Sequence, residues 1–374
     1  MQFRDLQAQY QVLKSQIDSA VTAVMTDADF ISGRKVSELE EQLAAYVGVK
    51  HCISCGNGTD ALTLALMTLD IGAGDAVFVP DFTFFASGET VAYEGAVPIF
   101  VDVREDTLNI CSDSFEKAIW KVKKEGKLIP RAVVTVDLFG QPADYSRIKE
   151  IAKEYGLAVI EDAAQGFGGA IDGKRACSFG DISTTSFFPA KPLGCYGDGG
   201  AVFTDNDKWA ELIRSLRIHG KGTDKYDNIR IGVNSRLDTI QAAILQVKLK
   251  AFEEYELLAV NQAAEFYSRE LKDVVKIPTV KEGFYSSWAQ YTIVLDSETE
   301  RDALQEQLKA QNIPSMIYYP KPMHEQTAFA GMDCCKVELD RSSSLCKRVL
   351  SLPIHPYIKK EDQEKVIEVI HHFK

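Results

Sequence analysis

Short apolar segments alternate with helical segments from about His51 onward, and this alternation restricts the chain to few folds. The apolar segments are HCISC (51–55), AVFVP (76–80), VPIFVDV (97–103), RAVVTVDLFG (131–140) and LAVIED (157–162), with helical patterns such as TDALTLALMTL and ADYSRIKEIAKEYG between them. Nearly continuous apolar strands that alternate with helices are typical of a mainly parallel sheet with helices on both faces. The sequence therefore predicts an α/β fold.

The pattern changes after the predicted sheet. Residues 237–271 have apolar positions at helical spacing and no strand signal, AQYTIVLD (289–296) reads as a half-buried strand, and helical segments follow at 298–312 and 361–373. A chain of 374 residues is longer than one hydrophobic core usually supports. We expect a large domain of residues 1–250 and a smaller α+β domain of residues 251–374.

Composition narrows the class of protein. The net charge of −12 disfavours a nucleic-acid-binding surface. No apolar segment is long enough to cross a bilayer, and the start of the chain lacks the apolar core of a signal peptide, so we expect a cytoplasmic protein without membrane contact. Cys52 and Cys55 form a C-x-x-C, but no second pair of cysteines stands at a metal-ligand spacing. We therefore expect reduced thiols and no bound metal.

Two candidate groups stand at predicted strand ends, where ligands of open α/β sheets bind. In GNGTDAL (56–62), the backbone of Gly58 and the hydroxyl of Thr59 open a helix and suit a phosphate, although a plain tight turn has the same sequence features. Asp162 ends LAVIED, either as a carboxylate directed into the crevice or as the N-cap of a following helix.

A third group is Lys191, within SFFPAKPLGCYGDGGA (186–201). Pro189 and Pro192 restrict the backbone around it, and the glycines that follow would allow the backbone to pass close to the flat ring of a bound ligand. A lysine near a buried surface loses hydration, which lowers its pKa and leaves more free amine at neutral pH. An amine, a carboxylate and a phosphate site together are what pyridoxal 5′-phosphate requires.

Six segments, in order, resemble the sugar aminotransferases of the DegT/DnrJ/EryC1/StrS family over nearly the whole chain. They are GNGTDAL, PDFTFFASGETV, EDAAQGFGG, SFFPAKPLGCYGDGGA, IRIGVNSRLDTIQAAIL and YYPKPMHEQ. The resemblance implies fold type I of the pyridoxal-phosphate-dependent transferases, the aspartate-aminotransferase fold. Within the family the chain is particularly similar to enzymes that aminate UDP-2-acetamido-2-deoxy-3-oxo-glucuronate in bacterial surface polysaccharide pathways.

The resemblance also implies roles for individual residues at the cofactor. Lys191 would bind the cofactor covalently, and Asp162 would pair with the ring nitrogen. Other contacts would come from Gln165 at the ring hydroxyl, from Phe84 stacked on the ring, and from Gly58, Thr59 and Ser186 at the phosphate. Asn234 would reach the phosphate in the neighbouring subunit, which implies a homodimer with shared active sites.

The implied substrate contacts depart in part from the family pattern. Arg236 is a candidate either for a substrate anion or for an ion pair between subunits. Many members have His-Tyr-Pro where this chain has Tyr318, Tyr319 and Pro320, so a phenol replaces an imidazole near the sugar. His324 matches a histidine of the same motif and has no visible partner in the sequence, which leaves both a substrate role and a structural role open.

The resemblance predicts an aminotransferase that moves an amino group from glutamate to a nucleotide-linked keto-sugar, UDP-2-acetamido-2-deoxy-3-oxo-glucuronate in particular. Another 3- or 4-keto sugar linked to UDP or dTDP is an alternative, and so is a non-catalytic regulatory member of the family. Pyridoxamine-dependent sugar dehydratases resemble this family but have histidine in place of the lysine. The presence of Lys191 argues against that activity.

Overall fold

The computed structural model describes residues 1–224 and 226–374. In these residues the helices are α1 (Leu6–Asp27), α2 (Arg34–Val47), α3 (Gly58–Thr68), α4 (Ala86–Tyr93), α5 (Ser112–Glu125), α6 (Tyr145–Tyr155), α7 (Asp207–Leu216), α8 (Thr239–Ala251), α9 (Leu257–Leu271), α10 (Glu298–Ala310), α11 (Asp340–Arg348) and α12 (Lys360–Phe373). The strands are β1 (His51–Cys55), β2 (Asp75–Pro80), β3 (Val97–Val101), β4 (Ile129–Val136), β5 (Ala158–Asp162), β6 (Ala170–Ile171), β7 (Lys174–Arg175), β8 (Ile182–Ser186), β9 (Gly200–Thr204), β10 (Phe284–Tyr285), β11 (Tyr291–Val294) and β12 (Val349–Leu352).

Within the described residues, seven strands form one sheet in the order β1-β9-β8-β5-β4-β2-β3. In this sheet the strands β8, β5, β4, β2 and β3 pair in parallel with one another. The strand β9 alone runs antiparallel to its neighbours, β1 and β8. This arrangement confirms the predicted α/β fold with a mainly parallel sheet. Each of the predicted apolar strands lies in this sheet.

The strand β8 has the polar sequence ISTTS, which carries no apolar signal, although all of its residues are buried. The hydroxyl groups of its two threonines donate to backbone carbonyls of the neighbouring segment. Thr184 donates to the carbonyl of Glu161 over 3.1 Å, and Thr185 donates to the carbonyl of Ala163 over 3.0 Å. A strand of this composition can therefore occupy the middle of the sheet, and it ends at Ser186, just before the Lys191 segment.

Alternate residues of the strands pack on opposite faces of the sheet. In β2, Ala76 and Phe78 belong to a core shared with α2, α5, α6 and α8, whereas Val77 and Val79 belong to a second core shared with α3, α4 and α7. A strand covered by helices on both faces is buried at every position, as β2 is, and is therefore mostly apolar. Both packed layers hold the carboxyl ends of the parallel strands in place.

The C-terminal part has a third core, formed by α9, α10, α12 and the antiparallel pair β11–β12. The predicted strand at 289–296 corresponds to β11, and the predicted helices correspond to α10 and α12. The predicted helical stretch 237–271 contains α8 and α9, joined by a π-helical turn at Phe252–Glu256. The helix thus runs on through the predicted boundary at residue 250, and the two-domain division stays a prediction.

Among residues 1–224 and 226–374, no helix combines the length and the apolar character needed to span a membrane. No group of three or more His, Cys, Asp or Glu side chains there is placed to bind a metal ion. Cys52 and Cys55 are free thiols, both buried in β1.

Candidate active site

Asp162 and Glu161 end β5, and their side chains leave the strand in opposite directions. The carboxylate of Glu161 is fully buried and accepts hydrogen bonds from the backbone N–H groups of 177, 179 and 180 at 2.6–3.0 Å and from the hydroxyl of Ser183 at 2.7 Å. Four donors leave it no capacity for a ligand, so Glu161 holds the loop behind the sheet. Asp162 is the carboxylate on the crevice side.

The carboxylate of Asp162 is held by two donors. The hydroxyl of Ser87 in α4 donates to Oδ2 over 2.8 Å, and the backbone N–H of Ala164 donates to Oδ1 over 3.2 Å. The residues that follow form turns rather than a helix, so the carboxylate does not cap a helix there. Burial raises the pKa of Asp162, while the bond from Ser87, the bond from Ala164 and the charge of Lys191 oppose that rise.

Lys191 lies in the loop between β8 and β9, and its backbone is fixed on both sides. Its N–H donates to the carbonyl of Phe188 over 2.8 Å, and its own carbonyl accepts from the guanidinium of Arg4 over 3.0 Å. The loop then folds back so tightly that a Cβ atom at Gly194 would lie 2.6 Å from the carbonyl oxygen of Phe188. Burial lowers the pKa of the Lys191 amine, Asp162 opposes this effect, and Arg4 adds to it.

The start of α3 meets the end of β8. The side chain of Asn57 caps the helix by accepting from the N–H of Asp60 over 2.8 Å, and the N–H groups of Gly58 and Thr59 come before that bond, at the open helix start. A Cβ atom at Gly58 would lie 2.7 Å from Cβ of Ser186. The structure thus brings Gly58, Thr59 and Ser186 together, and two N–H groups, two hydroxyls and a helix dipole suit an anion.

Gln165 uses both ends of its buried side-chain amide. Its Oε1 accepts from the N–H of Phe139 over 2.7 Å, and its Nε2 donates to the hydroxyl of Tyr319 over 2.9 Å. The Tyr319 ring in turn lies 6.3 Å from the ring of Phe84 and 6.0 Å from that of Phe82. Burial raises the pKa of Tyr319, so its phenol stays neutral and keeps its proton for donation.

Phe84 lies in the loop after β2 and is 53% exposed. Its ring is therefore accessible to a ligand that would stack on it. Tyr318 is half-buried, and its ring lies 6.2 Å from Phe3 and 5.8 Å from Tyr319. Tyr318 and Tyr319 therefore differ in their surroundings, since Tyr319 contacts Gln165 and Tyr318 contacts Phe3 near the N-terminus.

His324 has a partner that the sequence did not reveal. Its Nδ1 lies 2.8 Å from Oδ2 of Asp81, and its backbone N–H donates to Oδ1 of the same carboxylate over 2.8 Å. Asp81 is fully buried directly after β2, and its bond raises the pKa of His324. An acidic residue at a strand end was the one sequence signal for Asp81, and nothing in the sequence linked it to a histidine 243 residues away.

Asn234 and Arg236 are not brought to Lys191 by a described contact of their side chains. Between them, Ser235 is buried, donates to Asp60 over 2.7 Å and accepts from the N–H of Gly56 over 2.8 Å, which fixes the segment against the start of α3. Asn234 faces outward. Arg236 has no ion pair with another described residue and lines a cleft of about 950 Å³ that also contains Arg230, Lys221 and His219.

Comparison with other proteins agrees with this geometry. The model of the DegT/DnrJ/EryC1/StrS aminotransferase family matches residues 11–371. The chain is 45% identical over 359 residues, 96% of either protein, to the UDP-2-acetamido-2-deoxy-3-oxo-D-glucuronate aminotransferase of Pseudomonas aeruginosa. It is also 42% identical over 373 residues, 99% of this chain and 97% of the relative, to a pleiotropic regulatory protein of Geobacillus stearothermophilus.

Solved structures show the same likeness. A DegT DnrJ EryC1 StrS aminotransferase from Brucella abortus superposes with a TM-score of 0.97 at 50% identity and covers 100% of this chain and 99% of its own. NtdA of Bacillus subtilis, whose structure contains the bound cofactor PMP, superposes with a TM-score of 0.87 at 29% identity over 96% of this chain and 82% of its own. From the family match, these identities and the shared fold, the chain belongs to the DegT/DnrJ/EryC1/StrS aminotransferase family.

Proposed function

We propose that the chain is a pyridoxal-phosphate-dependent aminotransferase that transfers the amino group of glutamate to a nucleotide-linked 3-keto sugar. The observation that carries this proposal is the placement of the Lys191 amine near the buried Asp162 carboxylate, with the anion-binding helix start of Gly58 and Thr59 at the same end of the sheet. Burying a charged pair costs free energy of desolvation and so does not by itself stabilise the fold. A role in function accounts better for this combination of groups.

The residues present fit this cofactor. Lys191 would hold it covalently, Asp162 would face the ring nitrogen, and the helix start with Ser186 would bind the phosphate. Gln165 would contact the ring hydroxyl and Phe84 would cover the ring. When bound, the pyridinium ring accepts the electron pair that is left when a proton leaves the substrate carbon.

The chain's own groups determine how well that chemistry proceeds. Ser87 and Ala164 hold the Asp162 carboxylate in one orientation, so its negative charge would keep a proton on the ring nitrogen of the cofactor. The Lys191 amine makes no hydrogen bond to a described residue, and burial lowers its pKa, so it is available to take a proton from one carbon and return it to another. Phe82, Phe84 and Tyr319 form an aromatic group on this side, which would limit the access of water to a bound substrate.

The substrate assignment is supported by the relative from Pseudomonas aeruginosa, whose name specifies a UDP-linked 3-oxo-glucuronate. A diphosphate and a uronic carboxylate require cations, and the acidic chain concentrates Arg230, Arg236 and Lys221 in one cleft. Arginine can bind a carboxylate through two parallel hydrogen bonds. We assign Arg236 to the substrate anion, and Tyr318, Tyr319 and His324 to the region of the sugar.

We further propose a homodimer with shared active sites. Asn234 is exposed, and the next residue is anchored to the start of α3. Its side chain is therefore free to reach a phosphate in a second subunit. A two-fold axis would place two such segments reciprocally, one at each site. A cytoplasmic location remains a prediction from the sequence.

A regulatory role is the second candidate, because one relative at 42% identity is named a pleiotropic regulatory protein. The deciding experiment incubates the purified protein with glutamate and a panel of 3-keto and 4-keto sugar nucleotides, and follows products by mass spectrometry. We expect conversion of the ketone to an amine on the 3-keto uronic acid, and none with Lys191→Ala. Turnover of only neutral 4-keto sugars would refute the substrate, and no turnover of any member by a protein that binds no cofactor would refute the enzyme.

A further inference from the structure

Arg4 reaches the catalytic loop from the N-terminal segment, defined here as residues 1–9. Its Nη2 donates to the carbonyl oxygen of Lys191 over 3.0 Å, a contact across 187 positions of sequence. The segment does not hang freely, since Asp5 caps α1 by accepting from the N–H of Ala8 over 2.8 Å. The anchored backbone of the N-terminal segment thus holds the Arg4 guanidinium at Lys191.

The same segment is bound to the C-terminal part of the chain. Gln9 donates to the carboxylate of Glu256 over 2.8 Å, and the hydroxyl of Tyr357 donates to the same oxygen over 2.5 Å. Met1 packs against the third core. The N-terminal segment therefore lies between the Lys191 loop and the residues that follow β12, and contacts both.

Three polar atoms in this region are buried without a protein partner. They are Nη1 of Arg4, Oε1 of Gln9 and Nδ1 of His355. All three residues line one cavity of about 10 Å³, which Lys191 also lines, and this volume accommodates about one water molecule. One donor and two acceptors match the hydrogen bonds of a single water, because burial lowers the pKa of His355 to about 4 and keeps its ring neutral at pH 7.

Burial of a guanidinium at this point is unfavourable on its own. Desolvation lowers the pKa of Arg4 to about 10, with Glu256 opposing that change, and Arg4 forms no direct ion pair with a described carboxylate. A structural anchor for the N-terminus could have used an uncharged donor. The guanidinium lies at the backbone of Lys191, and its positive charge lowers the pKa of the Lys191 amine.

We propose that Arg4 is a positioning residue for Lys191, which fixes the backbone of the lysine through its carbonyl and places a positive charge beside that residue. This inference rests on the proposed function. The titratable groups around Lys191 are Asp162 at the end of β5, Arg4 and Asp5 in the N-terminal segment, Glu256 before α9, and His355 and Tyr357 after β12. Among them, Arg4 is the group whose loss moves the proton equilibrium toward the charged form of the lysine nitrogen.

The test titrates the visible absorbance of the full-length holoenzyme with pH, since that absorbance reports the proton on the Lys191 nitrogen joined to the cofactor. Arg4→Gln keeps a donor and removes the charge, whereas Arg4→Lys keeps the charge. We expect the titration midpoint to move to higher pH in Arg4→Gln and Arg4→Ala and to return toward the wild-type value in Arg4→Lys. The control Arg147→Ala removes an exposed arginine of α6 and should leave the midpoint unchanged.

A second measurement covers variants that retain too little cofactor. The full-length protein, freed of cofactor, is labelled with acetic anhydride over a pH series, and acetylation of Lys191 is quantified by mass spectrometry. Arg4→Gln should shift the labelling curve of Lys191 to higher pH, while other lysines keep theirs. We also expect cofactor affinity to fall about tenfold in Arg4→Ala. Identical midpoints in wild type and Arg4→Gln would overturn the proposal whether or not the wild type is an aminotransferase, because labelling does not depend on turnover.

Discussion

The side-chain amide of Gln165 donates a hydrogen bond to the hydroxyl of Tyr319 over 2.9 Å, and so connects the segment after β5 to the segment after α10. The other end of the same amide accepts from the backbone of Phe139. With both ends engaged, the amide orientation is fixed, and the predicted contact of Gln165 with a cofactor hydroxyl would use its remaining N–H. Tyr319 would therefore act on the proposed site through Gln165.

Tyr319→Phe removes that hydroxyl while keeping the ring. We expect kcat/KM to fall about tenfold, because one buried N–H of the Gln165 amide loses its acceptor and only the bond to Phe139 still holds the amide. Tyr93→Phe is the control, since it removes the hydroxyl of an exposed tyrosine at the end of α4, outside the proposed site. Steady-state kinetics of both variants decide the point, and equal losses in the two would contradict the special position of Tyr319.

Asp162→Asn keeps the shape of the side chain and removes its charge. We expect kcat to fall by about two orders of magnitude or more with cofactor still bound, because the lost charge matters most when the ring accepts electrons. Ser87→Ala, which removes only the donor to Oδ2, should cost about tenfold. Single-turnover rates with glutamate measure both. If Asp162→Asn were largely unfolded while its remaining folded fraction reacted at the wild-type rate, the role of Asp162 would be structural.

The Asp81–His324 pair predicts a pH dependence of stability. Its bond raises the pKa of His324 in the folded protein above the ordinary value of 6.5, so the folded state holds the proton more tightly than the unfolded state. The stabilisation is therefore complete below pH 6.5, as long as Asp81 is ionised, and is lost as the pH rises through the folded-state pKa of His324.

The free energy of unfolding of wild type minus that of His324→Gln, measured by denaturant titration at several pH values, should accordingly decrease as the pH rises above 6.5. His51→Gln is the control, as its partner Asp207 is largely exposed. A difference that is constant across the range, or that increases with pH, would show that the pair contributes no charge-dependent stability.

Asn234 can be tested through mixed dimers. Lys191→Ala and Asn234→Ala should each be inactive as homodimers. A heterodimer of the two has one site with both residues intact, so it should recover up to about half of the activity of a wild-type dimer. Differently tagged chains allow the heterodimer to be purified before assay. Absence of recovery in a purified heterodimer would place Asn234 in the site of its own chain.

Much of the fold followed from local patterns, since strands buried on two faces and helices with one apolar stripe have recognisable sequences. Among the strands that were not predicted, β8 was missed because ISTTS is polar, and β12 because VLSL lies next to a helix with no turn signal between them. The candidate site residues could be proposed one by one from their places in the sequence. Their partners were not, since Arg4 with Lys191 and Asp81 with His324 are joined only by the folded chain.

The most direct test of the account adds glutamate alone to purified holoenzyme and records the visible spectrum together with 2-oxoglutarate release. In the wild type we expect the absorbance of bound pyridoxal phosphate to disappear as one equivalent of 2-oxoglutarate forms per site, because Lys191 moves the proton that completes the half-reaction. In Lys191→Ala we expect neither change at a comparable rate. Release of 2-oxoglutarate by Lys191→Ala at the wild-type rate would contradict the role of Lys191 on which the account depends.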